Sequence, residues 1–256
     1  MSTLVHYSVE GAVARITLDS PHNRNALSTA LVHQLLQATS DAAAEPGVRA
    51  VVLGHTGGTF CAGADLSEAS SGGAYEAAVQ RARELASVLR SILELRLPVV
   101  GAIDGHVRAG GLGLLGACDI VVAGPASTFA LTEARIGVAP GIISLTLLPK
   151  MTARAAGRYF LTGESFGPAE AAAIGLVTVA ADDVSAALGG ISAELVRGSP
   201  QGLAASKALT TAAILEDFDR RAERLVAESA RLFRTDEARE GMLAFLQKRP
   251  PRWLDA

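Results

Sequence analysis

The sequence predicts an α/β fold, because short β-rich runs alternate with helical periods, two glycine-rich loops each follow a predicted strand, and the second half turns helical. A chain of 256 residues buries a large core without help from metals or disulfides.

Val5 to Val9 and Ala12 to Leu18 are β-rich runs separated by Glu10-Gly11 and read as a hairpin. Ser28 suits the N-cap of an amphipathic helix reaching about Ala44, which Pro46-Gly47 stops. Arg49 to Gly54 reads as a buried strand and Thr56 to Asp65 as a glycine-rich loop. Ala69 to Ala74, rich in Ser and Gly, reads as a mobile loop. A helix from about Tyr75 to Leu95 ends ahead of Pro98. Pro98 to Asp104 is the next strand, Gly105 to Ala117 a glycine-rich turn running into a short helix, and Asp119 to Ala123 a further strand. From Leu131 the patterns are mostly helical, with turns at Gly163 to Pro168 and Gly198 to Gly202. The helices Glu216 to Arg234 and Asp236 to Lys248 close the chain. This gives a β/α core over 1–195 and a helical region over 196–256.

Hydrophobic residues make up 49% of the chain but aromatic residues only 4%, so Ala, Leu and Val carry the packing and a base-stacking platform is excluded. A net charge of −3 without a basic block argues against nucleic acid and anionic membrane as partners. Cys61 and Cys118 have no metal-ligand spacing and are too few for a disulfide framework, which fits a reducing compartment. The N-terminus lacks a basic n-region and apolar h-region, and no uncharged run reaches the roughly 18 residues of a spanning helix. The expectation is a soluble cytoplasmic protein with no metal.

Gly111-Leu112-Gly113-Leu114-Leu115-Gly116 satisfies G-x-G-x-x-G, but too few residues separate the flanking strands for the crossover helix of a dinucleotide site. Gly163-Glu164-Ser165-Phe166-Gly167 satisfies G-x-S-x-G, which raises a serine hydrolase built on Ser165. That elbow needs a strand before the serine, whereas Ala153 to Leu161 is helical. Gly163 reads as a helix C-cap and Ser165 as a turn residue.

The stronger constellation is the pair of loops Phe60 to Leu66 and Asp104 to Gly111. Small residues let the backbone approach a ligand closely. If both loops run into helix N-termini, their free N–H groups suit a developing negative oxygen.

FCAGADL at Phe60 to Leu66, AIDG with GGLGLLGACDIVVA between Ala102 and Ala123, LTEARIGVAP at Leu131 to Pro140 and LTGESFGPAEAAAIGLV at Leu161 to Val177 occur in the order and spacing of one family. The chain resembles the enoyl-CoA hydratase/isomerase (crotonase) superfamily from Asn23 to Arg249. The resemblance implies a crotonase-like spiral of ββα repeats, as in the ClpP/crotonase folds, with a C-terminal helical trimerisation region. It places thioester-binding amides at Ala64 and Gly110 and a proton-transfer carboxyl at Glu133, where burial would raise the pKa.

Family members that add water carry two glutamates; the resemblance puts Gly113 at the first position and Glu133 at the second. One base suffices to migrate a double bond, so isomerase-like chemistry is favoured over hydration, with Asp65, Glu68, His106 and Ser144 as conceivable helpers. Asp65 otherwise reads as a helix cap and His106 as packed in its turn. Glu133 alone would read as a solvated first-turn residue of a helix beginning near Leu131.

The resemblance also assigns the CoA handle to Arg24, Ala26, Leu27, Ala62, Asp65, Leu66 and Lys248, with service to a neighbouring subunit as an alternative for Lys248. It implies an acyl-CoA thioester as substrate, no cofactor beyond the CoA the substrate carries, and a homotrimer or a hexamer of two trimers. The helical tail with Trp253 suits such packing. A non-catalytic acyl-CoA-binding member that has lost its acid at Gly113 is the alternative from another functional class.

Overall fold

The computed structural model describes residues 2–65, 68 and 75–254. Leu66 and the whole of the Ser/Gly-rich patch, 69–74, lie outside the described residues.

β1 (Val5–Glu10) and β2 (Val13–Leu18) pair antiparallel from Val5↔Leu18 to Glu10↔Val13, turning through Gly11 and Ala12. α1 (Thr29–Ala44) starts where the sequence puts it: Ser28 Oγ accepts from the Leu31 N–H at 3.3 Å, satisfying a first-turn donor. Its buried face runs Leu31, Leu35, Ala38, Ala42, the spacing of one helical stripe. There follow β3 (Ala50–His55), β4 (Thr59–Cys61), α2 (Tyr75–Glu94), β5 (Val99–Ile103) and β6 (His106–Arg108). α3 (Gly110–Ala117), β7 (Ile120–Ala123) and β8 (Thr128–Ala130) come next, then a 3-10 turn at Glu133–Ile136 and α4 (Ser144–Leu147). The rest is α5 (Ala153–Thr162), α6 (Pro168–Ala173), β9 (Val179–Ala180), α7 (Val184–Val196), α8 (Pro200–Leu232) and α9 (Asp236–Leu246).

The strands divide between two sheets, one in the order β1-β2-β3-β5-β7-β9 and a smaller one in the order β4-β6-β8. All pairs after the first hairpin are parallel. From β3 onward the chain lays one strand in the large sheet, the next in the small sheet, then turns into helix, and repeats. That is the spiral of ββα units the resemblance implied.

The small sheet is the main departure from the expected elements. β4 and β6 fall inside stretches read as glycine-rich loops, and β8 was not foreseen. Each is three residues long, too short for period-two alternation to register, and the central residue of each is fully buried. β9 sits in a stretch read as helical.

α7 covers one face of the large sheet through Leu188 against Val52, Val100 and Val122. The main core lies on the other side, where α1 and α2 bring Leu31, Leu35, Leu89 and Ile92 onto Ile16, Leu18 and Leu53. α8 starts at Pro200, well before Glu216, with Ser199 as N-cap and proline in the first turn, where its missing N–H costs nothing. It runs antiparallel to α2, as the pairs Arg90–Asp219 and Arg83–Glu223 show. Lys207 ties it down, donating to the Ile92 and Leu97 carbonyls and pairing with Asp119 at 2.8 Å. α9 packs against the Glu133–Ile136 turn.

Candidate functional site

The small sheet organises the site. Its three strands run parallel with Cys61 beside Val107 and Val107 beside Phe129, so their C-terminal ends lie abreast. The residues that leave those ends are Ala62 to Asp65, Ala109 to Gly110, and Leu131 to Glu133. Ligands of parallel sheets bind at that end, because the loops that diverge there expose backbone groups the ladder no longer uses.

The first loop is held by the segment Arg24 to Leu27. Leu27 N–H donates to Gly63 O at 2.7 Å and Asp65 N–H to Leu27 O at 3.4 Å, a parallel bridge centred on Ala64. In such a bridge the central residue turns its own N–H to the opposite side. The Ala64 N–H accordingly has no partner among the described residues. Ala62 N–H donates to Arg24 O at 3.1 Å. Arg24 and Asn25 hold this segment in left-handed conformations with φ of 60° and 53°. Asn25 makes that possible: its side chain accepts from Ser20 N and donates to the Thr56 and Thr59 carbonyls, satisfying a fully buried amide.

Gly110 is the first residue of α3, so its N–H has no intrahelical acceptor. Ala109 before it has φ 47° and ψ −120°, a region L-residues avoid at a cost of about 1–3 kcal/mol. The two loops touch: a Cβ on Gly63 would stand 2.6 Å from Ala109 Cβ and 3.4 Å from Gly110 N. Gly63 also has φ +92°, so only glycine closes the approach of the two loops.

Glu133 does not begin an exposed helix. It opens the 3-10 turn, is only 8% exposed, and its Oε2 has no hydrogen-bond partner among the described residues. Burial pushes its pKa up to about 7, partly opposed by its own backbone N–H. A buried carboxyl with one free oxygen, titrating near neutrality, can take up and return a proton at physiological pH.

Gly113 lies inside α3, where a Cβ would meet Ile143 Cγ2 at 2.5 Å and Leu89 Cδ1 at 3.3 Å. Ile143 therefore fills the space a side chain at 113 would need. The other glycines of the G-x-G-x-x-G match are equally enclosed, Gly111 by Cys61 and Gly116 by Thr146, so a dinucleotide has no access.

The remaining candidates separate. Ala26 and Leu27 are buried beside the first loop and Arg24 is exposed there. The Asp65 carboxylate accepts from Asn23 at 3.2 Å. Glu68 caps the start of α1 through Thr29 N at 3.1 Å, and Ser144 Oγ donates to Gly141 O at 2.6 Å. His106 is not packed in a turn; it is exposed on β6, its Nδ1 2.8 Å from Thr128 Oγ1. Lys248 is exposed beyond α9 with φ 53°, and no hydrogen bond or ion pair joins its side chain to the loop residues. Gly163 caps α5 in the left-handed region and Ser165 is exposed after a helix, which is not the strand-to-helix elbow of a hydrolase.

Gly63, Asn25 and Ala109 were not singled out by the sequence. Gly63 stood within FCAGADL, where a glycine between two strand-end residues signals close backbone approach. Ile143 falls in Gly141 to Ser144, which departs from the more glycine-rich stretch the resemblance leads one to expect after Pro140, but its contact with Gly113, 30 positions away, was not foreseen.

A family model described as enoyl-CoA hydratase/isomerase matches residues 8–256. An enoyl-CoA hydratase from Mycobacterium avium, known from its crystal structure, is 66% identical with a TM-score of 0.93, over 99% of this chain and 100% of that one. A protein of Rhodobacter capsulatus named "Probable enoyl-CoA hydratase" is 33% identical over 97% of each chain. A carnitinyl-CoA dehydratase of Proteus mirabilis is 29% identical over 99% of each.

Proposed function

The chain belongs to the enoyl-CoA hydratase/isomerase family, and we propose that it acts on an unsaturated acyl-CoA through a thioester enolate, with Glu133 as its single proton-transfer group. In this reading the N–H groups of Ala64 and Gly110 hold the thioester oxygen. One such donor contributes about 2.7–4 kcal/mol to a transition state that places charge there.

The steps balance with one base. From a 3-enoyl thioester the Glu133 carboxylate takes a proton from C2, and the electron pair moves onto the held oxygen. The carboxyl then returns the proton to C4 as the charge collapses back, leaving the double bond between C2 and C3. Hydration of a 2-enoyl thioester uses the same enolate but needs water placed at C3 and a proton at C2, work that two carboxyl groups share more readily than one. Isomerisation is the better fit because Ile143 closes the space at Gly113. Hydration stays within reach, since the relatives above are named as hydratases and a dehydratase.

The CoA handle lies along the paired segments Arg24 to Leu27 and Ala62 to Asp65 in this reading, continuing to Leu66, with Arg24 and Lys248 meeting phosphates. A homotrimer or pair of trimers is proposed as the working unit, its contact supplied by the exposed Leu243, Phe245, Leu246, Trp253 and Leu254.

The observation that carries this reading is the buried Glu133 carboxyl, whose Oε2 has no partner among the described residues, set beyond the same strand ends as the amides of Ala64 and Gly110. The test compares wild type with Glu133→Gln on a 3-enoyl-CoA and on crotonyl-CoA. A loss of roughly 10²–10⁴ is expected on the preferred substrate, and unchanged rates remove Glu133 from the mechanism. Tight thioester binding by wild type without turnover or exchange of the C2 proton in D₂O would favour the non-catalytic alternative.

A further inference from the structure

Near the start of α2, the antiparallel helices α2 and α8 border a cavity of about 780 Å³ lined by Tyr75, Arg224, Leu225, Glu228, Arg231 and Arg234. Its charge is unbalanced, with three guanidinium groups facing one carboxylate. Glu228 is already engaged, accepting from Arg231 at 2.8 and 2.6 Å. Arg234 lies over the Tyr75 ring, 5.6 Å from its centroid, which orients the guanidinium plane. Among the described residues neither Arg224 nor Arg234 has a carboxylate partner, so a concave wall offers two sets of unused, planar N–H donors.

The cavity lies along the helix that reaches the candidate site. Leu85 of α2 has its Cδ1 3.7 Å from the Cβ position of Gly110, at the amide assigned to the thioester oxygen. Tyr75 is ten residues earlier on that helix, about 15 Å along its axis. On the α8 side, Leu225 O stands 3.8 Å from the Cβ position of Gly141, in the turn that leads to Ile143. α2 thus runs from the arginine-lined end to the thioester end, and Leu225 of the cavity wall packs on the turn that leads to Ile143.

We propose that this cavity binds the terminal carboxylate of a dicarboxylic acyl chain, so that the substrate class is a dicarboxylic enoyl-CoA. This rests on the acyl-CoA reading above. A planar carboxylate matches the guanidinium fork of Arg224 or Arg234 with two parallel hydrogen bonds. An extended chain of single bonds advances about 1.2 Å per bond, so the ~15 Å to the end marked by Tyr75 and Arg234 calls for a chain of about twelve carbons.

The test separates binding from turnover. Calorimetry on the full-length protein compares dodecanedioyl-CoA with dodecanoyl-CoA, saturated esters that bind without reacting, and kinetics compares the corresponding 2-enoyl and 3-enoyl pairs. The diacid ester should bind at least about tenfold more tightly, the worth of one charge-assisted contact. Arg224→Leu and Arg234→Leu, which keep an apolar stem, should remove most of that preference by weakening the diacid alone. Equal affinities in wild type overturn the proposal. So does a uniform weakening that includes free CoA, which would assign the arginines to the CoA phosphates. Diacid preference without turnover keeps the cavity and sinks the enzymatic reading, whereas turnover without preference does the reverse.

Discussion

At the scale of single residues, Glu133 couples stability to pH in a direction opposite to most carboxylates. Its folded pKa of about 7 lies above the ordinary 4.5 because burial favours the protonated form. Below about pH 4.5 the group is protonated in both states and leaves stability intact. As pH rises, the unfolded chain releases the proton first, so stability falls until the folded carboxyl also ionises near pH 7. The shift corresponds to about 3 kcal/mol over that window. Denaturant titrations of wild type and Glu133→Gln at pH 4 and pH 8 should show the variant gaining by about that amount at the higher pH. A gap that stays constant would mean the carboxyl is solvated. The role of Glu133 was readable only through the resemblance of Leu131 to Pro140 to the family, and its burial was not readable at all. Leu131-Thr132-Glu133-Ala134 reads locally as an exposed first turn, whereas α5 and α9, the latter a hundred positions away, pack against the 3-10 turn that Glu133 opens. Gly113 teaches the same lesson, since the residue that forbids a side chain there is Ile143.

Among the elements, α8 shows how a helix is fixed by one buried contact more than by many exposed ones. Lys207 is 5% exposed, donates to two carbonyls at the end of α2 and beyond, and pairs with Asp119, which also accepts from Val99 N at 2.7 Å. Lys207→Ala leaves that carboxylate and both carbonyls short of a partner in a dry site, and should lower unfolding stability by about 3–5 kcal/mol. Arg83→Ala, which removes an exposed pair with Glu223, should change it far less. Equal effects in chemical denaturation would show that α8 is held by its surface rather than by Lys207. The elements that escaped the sequence did so for a stated physical reason. Long helices and the five-to-six-residue strands carry enough periods for a hydrophobic pattern to show, whereas β4, β6 and β8 are three residues each and are specified by pairing with one another across the spiral. The small sheet that aligns the site was therefore the least legible part of the fold, although the loops it supports were found through their glycines.

Across the whole molecule, the C-terminal helix α9 packs against the turn that Glu133 opens. Gly241 of α9 sits so close to the 3-10 turn that a Cβ there would meet the Ile136 carbonyl carbon at 2.5 Å and its Cα at 2.6 Å. That turn begins at Glu133, and Val138 N–H closes it by donating to Glu133 O at 3.1 Å. Backbone atoms cannot rotate away, so Gly241→Ala must push α9 off the turn, at a cost of about 1–3 kcal/mol of overpacking. Separating the helix from the turn admits water to the carboxyl, and the desolvation that holds its pKa near 7 weakens. With Glu133 acting as the base, kcat/KM should rise with pH through a midpoint near 7 in wild type. In Gly241→Ala that midpoint should move down toward the ordinary carboxylate range while the maximal rate falls, because the carboxyl is a weaker base and less firmly placed. A variant that loses stability but keeps the wild-type midpoint would show that the tail supports the fold without setting the proton affinity of Glu133.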